Sequence, residues 1–207
     1  MKTELSRSDY KRVAQLHIEN LEQSFLATLG RPFLSELYRA IDICDNAVLI
    51  VELRNNQIVG FITGGSNMGA VYKNMLSRIW VWAIPLSLRL LSIKRIKRVI
   101  EIMQYSSANK NERSDNIPSN ELFSIAVASS FRGQGVSTVL YNTLSNYFIK
   151  KDIYSYKIIV GNALVPAHRF YTKMGAIPFG DIEIHAGEKS TLYIQNLEKC
   201  SSNEPRI

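Results

Sequence analysis

Cysteine and histidine are scarce in this chain of 207 residues, which has two of the first and three of the second. Cys44 and Cys200 cannot build a disulfide framework, and no CxxC pair or Cys/His spacing typical of structural zinc is present. No pair of histidines has metal-ligand spacing either. We therefore expect a reduced, cytoplasmic protein without a bound metal.

Long apolar runs, repeats and low-complexity tracts are also missing. Residues 1–7 run into charge rather than an apolar segment, so we expect no signal peptide. The apolar stretch 79–88 is too short to span a bilayer. With 46% apolar and 21% charged residues and no linker, the chain predicts one domain, over residues 1–200, with 201–207 as a tail.

Acidic residues are nearly absent from one segment, and this explains the net charge of +7. Residues 73–110 hold eight lysines and arginines against a single acid, Glu101, while the rest of the chain is balanced. No recognition helix or aromatic-plus-basic strand surface accompanies this charge, so we expect no nucleic-acid partner.

The charge belongs to a predicted insert at about 71–104, amphipathic and mostly helical, with a wide apolar face and a narrow basic stripe. Three interpretations stay open. The apolar face covers the core or a substrate pocket, with its stripe solvated. Alternatively, it makes a homodimer contact or binds a phosphorylated acceptor. Thirdly, Trp80 and Trp82 beside arginines favour peripheral membrane contact.

Apolar periodicity predicts a mixed α/β sheet, mostly antiparallel, in which hairpins flank one central strand–helix–strand unit. This differs from a doubly wound parallel sheet. In chain order the predicted elements are helices 9–20 and 32–41, strands 47–53, 58–64 and 121–128, helix 135–150, strand 157–160, helix 166–174, and strands 181–185 and 191–197.

The clearest chemical signal is a strand that leads through Arg132-Gly133-Gln134-Gly135 into a helix. The first N–H groups of a helix lack internal partners and carry partial positive charge, so this turn can hold a phosphate or diphosphate. The glycines leave no Cβ in the way, and Arg132 adds a cation. A P-loop needs Lys followed by Ser or Thr where this chain has Val136-Ser137. A dinucleotide fingerprint needs a third glycine where this chain has Thr138. A tight turn that only caps the helix is the other interpretation.

A second cluster follows strand 157–160, with Gly161-Asn162 and then Phe170-Tyr171-Thr172-Lys173-Met174-Gly175-Ala176. Together with Arg132-Gly133-Gln134-Gly135-Val136-Ser137, this run resembles the GNAT superfamily of acyl-CoA-dependent N-acyltransferases. The resemblance covers about residues 121–198. Ser137 departs from the family pattern, which has glycine or alanine there.

The resemblance implies a GNAT-like single domain that uses acetyl-CoA. The main chain of Ile125, Ala126 and Val127 would pair with the pantetheine arm, which requires the sheet to splay open beside strand 157–160. Asn162 would bond to the pantetheine or orient a water, and Tyr171 would protonate the departing thiolate. The diphosphate would be held by the amides of Arg132, Gly133, Gln134, Gly135, Val136 and Ser137.

The amine that receives the acyl group must first lose a proton. Glu121, at the entrance of the splayed strand, is our candidate base, acting directly or through water. His185, at i+2 from Glu183 on the last hairpin, is the alternative base and a candidate acceptor contact. His17 and His168 are expected on polar or exposed surface, without a role.

The resemblance also implies that the two early helices and their connection wall the acceptor site, here with Phe25, Leu26, Leu29 and Phe33. This apolar wall predicts a small amine, such as an amino sugar or a nucleotide-linked sugar. Neither cysteine lies in the motif region, so direct transfer is expected. The alternatives are a non-catalytic acyl-CoA-binding module and a protein N-acetyltransferase.

Overall fold

The structure, a computed structural model, describes residues 4–66, 68–72, 74–75, 116–185 and 188–198. Most of the predicted insert and the predicted tail lie outside these residues, so the domain bounds and the insert stay predictions. The described elements are, in chain order, α1 (Arg7–Asn20), a 3₁₀ turn (Phe25–Leu29), α2 (Gly30–Asp42), β1 (Ala47–Arg54), β2 (Gln57–Gly65), a helical stretch at 68–72 and 74–75, β3 (Glu121–Val127), a 3₁₀ turn (Ser129–Phe131), α3 (Val136–Ile149), β4 (Ser155–Gly161), α4 (Val165–Lys173), β5 (Ile177–His185) and β6 (Glu188–Asn196).

The start of α1 shows how side chains set a helix boundary. Ser6 is the N-cap, and its hydroxyl accepts the N–H of Asp9, whose carboxylate in turn accepts the Ser6 N–H at 2.8 Å. This capping box starts the helix at Arg7, two residues before the predicted start. The predicted start at residue 9 would make Ser8 the N-cap, but the reciprocal bonds between Ser6 and Asp9 place the cap at Ser6.

The six strands form one sheet in the order β1-β2-β3-β4-β6-β5. Every neighbouring pair is antiparallel except β3 and β4, which run parallel. The predicted mixed, mostly antiparallel sheet is confirmed. The one parallel pair requires a crossover, and α3 supplies it.

The parallel pair separates almost as soon as it forms. Glu121 lies opposite Lys157 and Leu122 opposite Ile158, and the register of β3 with β4 ends there. Both strands continue, β3 to Val127 and β4 to Gly161. The sheet therefore opens toward the carboxyl ends of these two strands, as the predicted splay requires.

Each face of the sheet has its own core. One core lies under α1 and α2 and includes Val13, Leu37 and Phe61. The other lies under α3 and α4 and includes Leu144, Tyr156 and Tyr171. The helical stretch after β2 adds three buried residues to the first core, Val71, Tyr72 and Met75. The sheet thus lies between two packed layers, one on each face.

Candidate active site

The turn between β3 and α3 is shaped by two glycines. Gly133 and Gly135 have φ values of +75° and +79°, where other residues are strained. A Cβ added to either glycine would meet nothing within 4 Å, so the space above the turn is open. The side chain of Gln134 bends back to donate to the Ser130 carbonyl at 3.0 Å, which braces the turn.

The first turn of α3 is left uncapped by any side chain, with Gly135 as its N-cap. Val136 is buried, so only its main chain faces the turn. N–H groups here have no partner inside the helix. The arrangement suits an anion with several oxygens, such as a diphosphate.

The edge of β3 that faces the opening offers main-chain groups from alternate residues. Ala128 donates its N–H to Val59 in β2 at 2.8 Å. In an antiparallel ladder, alternate residues bond to the same partner strand, so Ala126 also faces β2. The N–H and C=O groups of Ile125 and Val127 are left for the opening. The prediction that the main chain of Ala126 pairs with the pantetheine arm is therefore corrected. The main chain of Ala126 faces β2, and those of its neighbours Ile125 and Val127 face the opening.

Glu121 is the first residue of β3 and lies at the closed end of the opening. Its carboxylate is 3.6 Å from the Lys157 ammonium, and the two side chains are 28% and 20% exposed. Burial raises the pKa of Glu121, and the charge of Lys157 opposes this shift. Burial also raises the pKa of Tyr72 to about 12, with a further rise from the charge of Glu121. The carboxylate is thus near a residue of the first core.

Tyr171 approaches the sheet from the other layer. It is 5% exposed and lies in the second core, with ring centroids 6.1 Å from Tyr141 and 6.4 Å from Tyr193. Burial raises its pKa, which keeps the phenol protonated at neutral pH. Among the described residues its hydroxyl has no hydrogen-bond partner. Tyr171 and Glu121 therefore lie on opposite faces of the sheet.

Asn162 follows the end of β4 and is oriented by β6. Its Oδ1 atom accepts from the Thr191 hydroxyl at 3.0 Å, and Thr191 also lies 3.1 Å from Asp181 Oδ1. The two N–H groups of the Asn162 side-chain amide find no acceptor within the described part of the chain. They remain available to an acceptor such as a pantetheine carbonyl.

His17 is not a polar-face residue, so that expectation was wrong. It is 2% exposed, and its ring nitrogens bond to the hydroxyls of Tyr38 and, at 3.3 Å, Ser24. Burial lowers its pKa to about 4, so it is neutral at physiological pH. The spacing of Tyr10, Val13, Ala14 and His17 on one helical face could have shown that it is buried.

His168 was expected to be exposed and without a role, but it is half-buried and bonded on both nitrogens. Nε2 donates to the Gly161 carbonyl at 3.1 Å, which leaves Nδ1 to accept from the Tyr193 hydroxyl at 2.8 Å. His168 thereby ties α4 to the end of β4. Its position one helical turn before Tyr171 was the available signal.

The predicted acceptor wall lies on the α1–α2 connection. Phe25, Leu26, Leu29 and Phe33 are all half-buried, and two of them, Leu26 and Phe33, pack against the first core.

The structure does not support the predicted placement of His185 and Glu183 on the same side of their strand. The ladder between β5 and β6 is irregular between these two residues, so they do not follow the regular alternation that the prediction used. The backbone of His185 pairs with Glu188, and its side chain lies outside what the structure describes.

The described residues also show whether a metal site or a membrane-spanning helix is present among them. In the described ranges, no three histidine, cysteine or acidic side chains are grouped as metal ligands. No helix in those ranges is both long and apolar enough to cross a bilayer.

Comparison with known proteins finds similarity to acetyltransferases. The model of the acetyltransferase (GNAT) family matches residues 92–176. No curated protein matches the sequence.

Solved structures match over most of the chain at low identity. An N-acetyltransferase from Staphylococcus aureus Mu50 is 14% identical, with a TM-score of 0.59 over 94% of this chain and 96% of that one. The ribosomal-protein-S18-alanine N-acetyltransferase of Escherichia coli is 10% identical, with a TM-score of 0.57 over 98% and 96%. A Bacillus anthracis protein assigned as a streptothricin acetyltransferase, in complex with acetyl coenzyme A, is 16% identical, with a TM-score of 0.50 over 77% and 68%.

Proposed function

We propose that this chain, whose residues 92–176 match the model of the acetyltransferase (GNAT) family, acetylates the primary amine of a small molecule with acetyl-CoA. The observation that carries this proposal is the opening between β3 and β4, with a diphosphate-type turn at its wide end and Glu121 at its closed end. A donor bound along β3 would bring its thioester between the two layers that supply Tyr171 and Glu121.

The donor is proposed to bind mainly through the main chain. The amides of residues 132–137 would hold the diphosphate, and the free edge of Ile125 and Val127 would pair with the pantetheine arm. Asn162 would offer its amide N–H groups to the same arm. Main-chain binding suits this ligand because the arm carries amides of its own, which can extend the sheet by one strand.

The reaction is proposed to be direct. The neutral amine attacks the thioester carbonyl, a tetrahedral oxyanion forms, and the C–S bond then breaks to release the thiolate. An N–H group on the free edge of β3 would stabilise the oxyanion, an effect of about 3–4 kcal/mol per donor in other enzymes. No cysteine is needed as a nucleophile.

Glu121 is proposed to take the proton of the amine, directly or through water. Its raised pKa makes it a stronger base than an exposed carboxylate. Tyr171 is proposed to face the departing thiolate, whose pKa is about 8.5 when free. Because burial raises the pKa of Tyr171, its main contribution would be a hydrogen bond that stabilises the thiolate until it is protonated.

The acceptor is proposed to be a small amine or amino sugar, because the half-buried wall on the α1–α2 connection is apolar and has few fixed charges. A nucleotide-linked sugar would fit if the basic insert contributes. The similarity to an enzyme named for an alanine of a ribosomal protein makes protein acetylation the second candidate.

Release of free thiol from acetyl-CoA, followed across an acceptor panel, tests this proposal. The panel holds polyamines, amino sugars, a nucleotide-linked amino sugar, and peptides that begin with alanine or contain lysine. Release with a small amine supports the proposal, whereas release with peptides alone overturns the acceptor class. Tight CoA binding without release on any amine would favour the non-catalytic binding module.

The proposal also covers the cellular location of the enzyme and the role of the predicted insert. We propose a cytoplasmic enzyme whose segment 71–104 meets the acceptor, a second copy or a membrane surface. A variant in which Lys94, Lys97 and Arg98 are neutralised separates these roles. Loss of one acceptor class, of the dimer in sedimentation, or of vesicle binding each identifies one of them.

A further inference from the structure

The last residue of α1 contacts the candidate cofactor turn from across the molecule. Asn20 Oδ1 accepts from Arg132 Nη2 at 2.7 Å, and Asn20 Nδ2 donates to the Leu16 carbonyl at 2.9 Å. Arginine can only donate and a carbonyl can only accept, so the two bonds agree on one orientation of the amide. The side chain of Asn20 is thus held by its own helix and in turn holds Arg132.

The contact positions a cation without neutralising it. Arg132 is an exposed residue of the turn, and no carboxylate in the described part of the chain lies within ion-pair distance of it. An amide oxygen bonds to the guanidinium but carries no net charge, so the full positive charge stays available. A carboxylate in the same place would bond more strongly and compete with any anion.

We propose that Asn20 is a positioning residue that holds Arg132, with its charge uncompensated, for the diphosphate of acetyl-CoA. The inference rests on the proposed function. A long arginine side chain loses rotamer freedom when it binds a ligand, and holding it beforehand lowers that cost. The neutral amide is the feature that matters, because it confines the side chain without occupying its charge.

The test compares Asn20→Ala, which frees Arg132, with Asn20→Asp, which keeps the bond and adds a negative charge. CoA affinity is measured by calorimetry, without an acceptor. We expect Asn20→Ala to weaken CoA binding about threefold and Asn20→Asp about tenfold or more. The loss in Asn20→Asp should shrink as salt is raised, because screening weakens the ion pair that the new carboxylate makes with Arg132 in competition with the diphosphate.

A truncated donor provides the second readout. S-acetylpantetheine has the thioester and the arm but no diphosphate. We expect kcat/KM with acetyl-CoA to fall in both variants, while kcat/KM with S-acetylpantetheine stays unchanged. A purely structural role of Asn20 would lower both values alike, and that result would overturn the inference.

Two control variants sharpen the comparison. Gln23→Glu adds the same charge at an exposed position beyond α1 and should leave CoA affinity within about twofold. In an Arg132→Ala background, Asn20→Asp should lose most of its effect, because the two side chains act as a pair. Thermal melting confirms that each variant is folded.

The outcomes separate this inference from the function on which it rests. If the unaltered protein binds no CoA, the proposed function fails. If it binds CoA and Asn20→Asp binds it equally well, the inference alone fails.

Discussion

The candidate site is built mainly from backbone groups on one side of the opening and mainly from side chains on the other. The half proposed to bind the donor, here the donor half, comprises β3, α3, β4 and α4 and presents mainly backbone groups, at the glycine turn and along the free edge of Ile125 and Val127. The half proposed to bind the acceptor, here the acceptor half, comprises α1, α2, β1 and β2 and presents side chains. His17, Ser24 and Tyr38 are linked there by hydrogen bonds, and Thr63 reaches Ser124 of β3 at 2.8 Å.

This difference has a physical origin. Backbone groups are the same in every residue, so the donor half needs only glycines and two parallel strands whose pairing ends early. Discrimination of an acceptor needs side chains, and those come from elements far apart in the sequence. The donor half therefore carries motifs, whereas the acceptor half carries a network that only folding assembles.

The largest effect should come from Glu121→Gln, which removes the candidate base. We expect kcat to fall by about 10²–10⁴-fold with CoA affinity nearly unchanged. Glu52→Gln is the matched control, because Glu52 is a 19%-exposed strand carboxylate paired with Arg54 at 3.0 Å. Steady-state kinetics and CoA calorimetry measure the two quantities. Equal rates for both variants would remove Glu121 from the reaction.

The acceptor half should lose stability in acid through His17. Its folded pKa, about 4, lies below its ordinary 6.5, so the unfolded chain binds the extra proton first. Stability then falls as pH drops from 6.5 toward 4, by about 3 kcal/mol at most.

Urea unfolding at several pH values measures this effect. His17→Gln, which replaces the imidazole with an amide that does not titrate, should have a shallower slope over that range. An unchanged slope would show that His17 does not cause the acid sensitivity.

Tyr171→Phe should lower kcat by about 10–10²-fold while leaving the fold intact, since only a hydroxyl is removed. Tyr156→Phe is the matched control: Tyr156 lies in the same core, with its hydroxyl 3.1 Å from Ser145. Turnover of both variants is compared at saturating acetyl-CoA. Unchanged turnover in Tyr171→Phe would refute a role for its hydroxyl at the thiolate.

The smallest effect should be a shift in pH dependence on Lys157→Met. The positive charge of Lys157 lowers the pKa of Glu121, so its loss raises that pKa further. Because the base must be deprotonated, the acidic limb of the kcat/KM profile should move to higher pH. Lys151→Met, at an exposed position after α3, should leave the profile in place. A shift to lower pH would contradict the assignment of Glu121 as the base.

The sequence predicted correctly those features that a single strand, turn and helix form together. The elements from Glu121 to Asn196 lie within a few residues of their predicted bounds, and the open turn and the splay follow from the motif that suggested them. Prediction failed where partners came from elsewhere. His17 was judged by its helix alone, but the hydroxyls of Ser24 and Tyr38 satisfy its nitrogens and allow its burial.

Ala126 and Glu121 show a second kind of limit. Sequence places both on the right strand, but the pairing of Ala128 with Val59 decides which main-chain groups remain free. Likewise, only the register of Glu121 with Lys157 shows that the carboxylate lies at the closed end. Register depends on the partner strand, which local pattern does not contain.

The sequence by itself determined the fold class and the diphosphate-type turn, because apolar periodicity and glycine conformation act over a few neighbouring residues. Tertiary structure alone decided the bond from Asn20 to Arg132, the burial of His17, and the layer from which each candidate catalytic group approaches. Those features depend on atoms more than a hundred residues apart in one case, and only packing brings such atoms within hydrogen-bond distance.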